Sequence, residues 1–215
     1  MSSLISKLSS TGQRNLLDDL NYLNTAEIKA LCKKYRIPYT IAIENTDSTR
    51  RRTSDHDRKG VMLKRIRHFL QTGEILEATC FPNAVVSFRL VPQKLAAEDR
   101  LFYGQYDKSN PSMIALLKDL TNGKFKDGAI ARILAREFWA SGKAPTFLEF
   151  AVAWLKATGE HKHPNPEWAF LSDRHDKKAV ANWKTLRAQK AKLVLKTISS
   201  LRSHKNPKVL KDCTR

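Results

Sequence analysis

Two histidines in the second half of the chain have the type and spacing that could hold a metal ion. His161 and His163 stand two apart in the sequence Gly-Glu-His-Lys-His-Pro, and imidazoles at this spacing in an extended segment can converge on one cation. Asp173, His175 or Asp176 would supply further ligands. No second patterned pair of ligands follows, so we favour a solvated loop whose histidines titrate near neutral pH.

No other residues form a recognisable catalytic set. The eight glycines are scattered and build no phosphate-binding loop, and no serine lies in a nucleophile elbow. We therefore predict no catalytic residues, no bound metal and no cofactor. A metal-dependent nuclease or processing enzyme, with its site around His161, His163 and His175, is kept as an alternative.

Charge is a clearer chemical signal than these histidines. Lysine and arginine number 39, aspartate and glutamate number 21, and the net charge is +18, with a sequence pI near 10.0. This excess is larger than solubility requires and makes polyanions the expected partners. We predict contacts with nucleic acid, DNA first and RNA as the alternative, from Arg50, Arg51, Arg52, Arg58, Lys59, Lys64, Arg65, Lys184, Arg187 and Lys190.

Two short amphipathic helices should position most of the N-terminal cations. The first begins at Asn24, which can form a capping box with Glu27, and it ends before Pro38. The second alternates apolar residues with cations and stops at Gly73. The apolar positions are Ile28, Leu31, Cys32 and Tyr35 in the first helix, and Val61, Met62, Ile66, Phe69 and Leu70 in the second.

These helices resemble the SAP family of helix-extended-helix DNA-binding modules over residues 15–72. The stretch from Leu23 to Pro38 is similar to the family's LxxxELKxxCkxxglp half. The stretch KGVMLKRIRHFL, from Lys59 to Leu70, is similar to its KxeLixRIxxfL half. The resemblance implies that the N-terminal end of the second helix meets the phosphate backbone of DNA, commonly AT-rich, without an enzymatic reaction.

By position, the resemblance implies phosphate contacts from Lys59 and Arg65, with Lys64 beside them. Family members usually join their helices with a few residues, whereas residues 40–57 intervene here and contain the triplet Arg50-Arg51-Arg52. We expect this basic insertion to be mobile until a polyanion orders it.

Residues 74–109 are predicted to form a linker. Val86, Phe88 and Leu90 alternate with polar residues, the period of a strand, but Pro82 and Pro92 bracket this run. The linker therefore has room for one short strand pair. Its aromatic residues are expected to pack rather than to stack on bases.

Three helices of about three turns are predicted after the linker. They begin at Asn110-Pro111, at Ala129 and at a capping box from Thr146 to Glu149. We expect them to form a compact domain with a core rich in Trp and Phe. The order of module, linker and this REFWASGKAPTFLEFAVAWL unit also resembles bacterial SAP-containing proteins with a small helical domain of unknown role.

The C-terminal segment is the most basic part of the chain. From Asp176 to Arg215 it has twelve basic and two acidic residues, a net charge of +10. An apolar stripe predicts one long helix with a cationic back. Either the stripe docks on the helical domain and the lysines are solvated, or the helix tracks phosphates; a dimerising coiled coil is a third, weaker option. The stripe consists of Val180, Trp183, Leu186, Leu193, Val194, Ile198 and Leu201.

Taken together, these patterns predict a mainly α fold. A SAP-like module with its basic insertion (1–73) is followed by the linker (74–109) and a helical domain with a basic C-terminal helix and tail (110–215). The predicted function is non-enzymatic DNA binding through the phosphate backbone. In this prediction the arginine triplet could enter a narrow A·T minor groove and favour AT-rich duplex.

The sequence also indicates a compartment. Three widely spaced cysteines, Cys32, Cys80 and Cys213, fit reduced thiols, and neither a secretory segment nor a membrane span is recognisable. We expect a cytoplasmic or nucleoid-associated protein, nuclear in a eukaryote, with no membrane partner. The oligomeric state is not predicted.

Overall fold

The computed structural model describes residues 3–160 and 177–202. The described parts contain seven α-helices and one three-stranded sheet. The helices are α1 (Ser10–Asp19), α2 (Thr25–Tyr35), α3 (Lys59–Thr72), α4 (Pro111–Leu120), α5 (Ala129–Ala140), α6 (Phe147–Glu160) and α7 (Lys177–Arg202). The strands are β1 (Thr40–Glu44), β2 (Arg50–His56) and β3 (Cys80–Pro82), and short 3-10 turns cover Leu4–Lys7, Leu20–Tyr22 and Asn83–Val85.

The prediction of a mainly α fold is wrong. The structure is 56% helical, but its mixed sheet makes it an α-plus-β protein. The sheet has the order β2-β1-β3, with β1 antiparallel to β2 and parallel to β3. Periodicity in one segment does not show which distant segment pairs with it, and the pairing of β1 with β3 crosses the whole of α3.

The chain divides into two compact units. Within the described residues, the first unit contains residues 3–39, 57–77 and α7, and the second contains residues 40–56 and 78–160. This division differs from the predicted segments 1–73, 74–109 and 110–215. Residues 40–56 of the insertion and 78–109 of the linker belong to the second unit, because they supply its sheet. The C-terminal helix belongs to the first unit.

Local sequence signals explain the helices of the first unit. Asn24 and Glu27 form the predicted capping box at the start of α2: each backbone N–H donates to the other residue's side chain over 2.8 Å. Gly73, at φ +79°, ends α3 in a left-handed conformation. The core of this unit includes Leu20, Leu23, Ile28, Cys32, Met62, Leu63, Ile66 and Leu70, together with Ala191, Val194 and Ile198 of α7.

The basic insertion forms a β-hairpin rather than a mobile loop. Its turn closes because the Asp47 carboxylate accepts hydrogen bonds from the backbone N–H of Thr49 (3.0 Å) and from its hydroxyl (2.6 Å). The Asn45 N–H donates to the Thr49 carbonyl over 2.8 Å. The turn therefore holds β1 and β2 in register, with Ala42 opposite Arg52 and Glu44 opposite Arg50.

Helices α4, α5 and α6 enclose the core of the second unit with the sheet. Asn110 caps α4 with Pro111 at its first position, and Thr146 and Glu149 form the predicted capping box of α6. The strand found in the predicted linker is β3, not the run from Val86 to Leu90. The core is aromatic, as expected, and includes Ile41, Phe81, Leu101, Met113, Leu117, Phe125, Ala135, Trp139, Phe147, Phe150 and Trp154.

Within the described residues, no helix combines the length and the apolar character needed to span a lipid bilayer.

Candidate nucleic-acid interface

Arg65 lies in the core of the first unit, not on its surface. Its guanidinium donates to the Asp57 carboxylate over 2.6 Å and to the Pro38 carbonyl over 3.0 Å. The side chains of Arg65 and Asp57 are 6% and 4% exposed. A phosphate could reach this guanidinium only by displacing a buried carboxylate, so the placement favours a structural role over the contact that the SAP resemblance implies.

The other cations of α3 differ in their availability. Lys59, at the first position of the helix, is half-buried, and its ammonium donates a hydrogen bond to the Asn21 carbonyl over 2.6 Å. Arg58 is the N-cap residue, and no side-chain hydrogen bond caps the helix. Lys64 is exposed. Of the three residues carried over from the family, the structure therefore presents Lys64 most openly to a ligand.

Two of the predicted cations on α7 help to dock that helix on the first unit. Arg187 forms an ion pair with Glu27 and donates to the Tyr22 carbonyl over 2.9 Å. The Lys190 ammonium lies 2.9 Å from the Asp19 carboxylate, which raises the pKa of Lys190 by accepting its hydrogen bond. Lys184 is exposed. The predicted apolar stripe of α7 docks only in part: Val194 and Ile198 are buried in the core of the first unit, whereas Leu186 and Leu193 are exposed.

The arginine triplet lies on strand β2, which places its three side chains on two different faces. Successive side chains of a strand point to opposite faces, so Arg50 and Arg52 share one face and Arg51 occupies the other. All three side chains are exposed. Among the described residues, neither Arg51 nor Arg52 forms an ion pair with a carboxylate. The triplet is therefore the most accessible group of predicted contacts.

Hydrogen bonds at the C-terminal half of β2 hold the strand to the rest of the second unit. The Thr53 hydroxyl donates to the Ile41 carbonyl over 2.9 Å, and the Tyr103 hydroxyl donates to the Asp55 carboxylate over 3.0 Å. Arg136 donates to the His56 carbonyl over 2.9 Å. These bonds attach residues 53–56 of β2, and the pairing with β1 holds the part of the strand that contains the arginines.

One exposed aromatic residue was not predicted to contribute to a site. Phe88 was expected to pack, but 63% of it is exposed, and the Arg51 guanidinium lies over its ring, 5.7 Å from the centroid. Sequence periodicity placed Phe88 on the apolar side of a strand that does not form. The signal that locates it is tertiary, namely its contact with β2.

The metal-site alternative lies outside the described residues. His161, His163, Asp173, His175 and Asp176 all fall there. Within residues 3–160 and 177–202, no group of His, Cys, Asp and Glu side chains is arranged to hold a metal ion.

Comparisons with protein families, with curated proteins and with solved structures gave no match for this chain. The function is therefore argued from the residues and their geometry.

Proposed function

We propose that this protein binds DNA without an enzymatic reaction, through contacts of exposed arginines with the phosphate backbone. The observation that carries the proposal is the pair Arg50 and Arg52, exposed on one face of strand β2, which is paired with β1. Because they are two residues apart on a strand, their Cα atoms are separated by roughly 7 Å. Both side chains can therefore reach the same phosphate backbone, whose negative charge attracts each guanidinium.

The surroundings of this pair support an anionic partner. Glu44 lies opposite Arg50, but the residue opposite Arg52 is Ala42, which brings no charge. The whole chain has a net charge of +18, so the field around it attracts polyanions from a distance. Arginine suits phosphate because its planar group can donate two parallel hydrogen bonds.

The proposal includes a preference for AT-rich duplex. A narrow A·T minor groove has a stronger negative potential than other grooves and attracts inserted arginine side chains. The SAP resemblance points in the same direction. As a DNA-binding protein, the chain would work in the cytoplasm or nucleoid of a bacterium, or in the nucleus of a eukaryote.

The experiment compares two double variants that remove the same charge from the second unit. Arg50→Ala with Arg52→Ala should weaken duplex binding at least about 10-fold, because each charge-assisted hydrogen bond is worth more than about 1 kcal/mol. Lys118→Ala with Lys124→Ala, which removes one exposed lysine from the last turn of α4 and one from the segment after it, is the matched control. Fluorescence anisotropy on AT-rich and GC-rich duplexes measures both.

The expected result is a larger loss for the arginine pair than for the lysine pair, and a larger loss on the AT-rich duplex. Equal losses for the two pairs would show that only total charge matters and would remove β2 from the interface. Competition with RNA of the same length decides the other alternative: stronger displacement by RNA than by DNA would make the protein an RNA-binding one.

A further inference from the structure

Phe88 is an apolar ring held in an exposed position by its neighbours. The ring of Tyr103 lies edge-on to it, with centroids 6.2 Å apart, and the Arg51 guanidinium covers it from β2. Gly104, at φ +94°, lets the backbone approach closely: a Cβ there would lie 2.8 Å from the Phe88 ring and 2.6 Å from the Ser87 carbonyl. These contacts fix the position of the exposed Phe88 ring.

A groove adjoins this ring within the second unit. It has a volume of about 270 Å³ and is lined by Phe88, Tyr103, Tyr106, Trp139, Arg132 and Arg136. This is slightly below the range of roughly 300–1,000 Å³ for small-molecule pockets, which suits one nucleotide better than a larger ligand. Aromatic walls beside guanidinium groups are the chemistry that recognises a nucleobase and its phosphate.

The polar groups of the groove are arranged to receive such a ligand. Asp55 accepts the Tyr103 hydroxyl and lies 3.9 Å from the Arg136 guanidinium, so its carboxylate is compensated. The Tyr106 hydroxyl donates to Asp127. Arg132 is exposed at the rim. The exposed guanidinium of Arg132 therefore adds positive charge at the rim, and that of Arg51 adds positive charge beside Phe88.

We infer that the second unit binds an unpaired nucleotide of single-stranded DNA, with the base stacked on Phe88 and the adjoining phosphates held by Arg51 and Arg132. A base has a π-face that can stack on a phenyl ring, and 63% of Phe88 stays exposed although the Arg51 guanidinium lies over its ring. The inference rests on the proposed function, which concerns duplex phosphates and the opposite face of β2, and it adds a second DNA form and a second contact.

The test uses the full chain and fluorescein-labelled oligothymidylate of about 10 nucleotides, which has no paired bases. Phe88→Ala should weaken binding about 10-fold to 100-fold, the usual effect of removing one stacking residue. Phe88→Trp should retain the affinity, and its indole fluorescence should be quenched by the bound base. Leu90→Ala is the matched control, because Leu90 is 95% exposed in the same segment and should bind like the wild type.

Duplex binding separates this inference from the proposed function. Phe88→Ala should bind a duplex within about twofold of the wild type, because the duplex bases are already stacked on each other. If Phe88→Ala binds oligothymidylate as tightly as the wild type, or if the wild type does not bind it at all, the inference is wrong while duplex binding can stand. If the wild type binds neither DNA form, the proposed function fails as well.

Discussion

A buried ion pair links three segments of the first unit at the residue scale. Arg65 extends from α3 to the Asp57 carboxylate and to the Pro38 carbonyl, so its guanidinium replaces the water that each of these groups would lose on burial. The pair also lies near Cys32, whose pKa it influences in both directions. Arg65, although it lies in a basic helix, therefore stabilises the fold and is not part of the exposed charged surface.

Replacing Arg65 by Ala should destabilise the first unit by about 3–5 kcal/mol, because the Asp57 carboxylate would stay buried without its partner. Urea unfolding followed by circular dichroism measures the loss. Lys64→Ala, one residue away and exposed, should change the free energy of unfolding by no more than about 0.5 kcal/mol. A stable Arg65→Ala protein that has lost its DNA affinity would instead support the phosphate contact implied by the SAP resemblance.

Cys32 gives the first unit a pH dependence above neutrality. Burial raises the pKa of its thiol from the ordinary 9.0 to about 11. Above pH 9 the unfolded chain releases the thiol proton while the folded chain retains it, so the stability that this group contributes is present below pH 9 and is lost as the pH rises toward 11. The wild type should therefore lose its stability advantage over Cys32→Ala across this window.

Urea unfolding of both proteins between about pH 7.5 and 10.5 checks this difference. Comparing the pair cancels the lysine and tyrosine groups that titrate in the same range. A stability difference that stays constant with pH would show that the thiol does not change its pKa on folding.

At the scale of elements, α7 is a structural part of the first unit. Val194 and Ile198 are 1% and 2% exposed, whereas Leu193 on the same helix is 55% exposed. Tyr22 and Trp183 stack with ring centroids 5.3 Å apart, and the Tyr35 hydroxyl donates to the Ile198 carbonyl. The burial of Val194 and Ile198 and these contacts explain why a helix so rich in lysine folds against a basic module.

Ile198→Ala should reduce the free energy of unfolding of the first unit by about 2–5 kcal/mol, since it removes buried methyl groups and leaves a cavity. Leu193→Ala deletes a similar aliphatic group from the exposed side and should have little effect. Trp183 fluorescence, sensitive to the stack on Tyr22, reports the detachment of α7. Similar effects of the two variants would contradict the docking of this helix.

Sequence patterns predicted where helices begin better than which distant segments pair or pack with one another. The capping boxes at Asn24 and Thr146 are local, so α2 and α6 begin where the sequence indicates. The pairing of β1 with β3 joins residues almost 40 apart, and the docking of α7 on α2 joins residues more than 160 apart. Spacing within one segment contains no information on such contacts.

The candidate site, too, could be predicted from the sequence only in part. Exposure of the triplet could be expected from its charge, because three adjacent arginines are rarely buried. The burial of Arg65 could not, since it depends on Asp57 and Pro38 reaching the same point. The position of Phe88 depends on Gly104 and Tyr103, which no periodicity connects to it.

At the scale of the whole molecule, the excess of 18 positive charges predicts the mode of DNA binding. Arginines and lysines that replace counterions around phosphates release those ions, so affinity falls as salt rises. Neutralising about six phosphates would give a slope of roughly −5 for log K against log salt concentration. Base-reading contacts would add affinity that depends little on salt.

The most direct test of this account is the salt slope of the wild type beside that of the variant Arg50→Ala with Arg52→Ala. Fluorescence anisotropy with one AT-rich duplex, at salt concentrations from about 50 to 200 mM, measures both slopes. We expect a steep slope for the wild type and a slope shallower by about 2 for the variant, since each lost phosphate contact removes about 0.9. A flat response of the wild type, or identical slopes for the two proteins, would contradict phosphate binding by the β2 arginines.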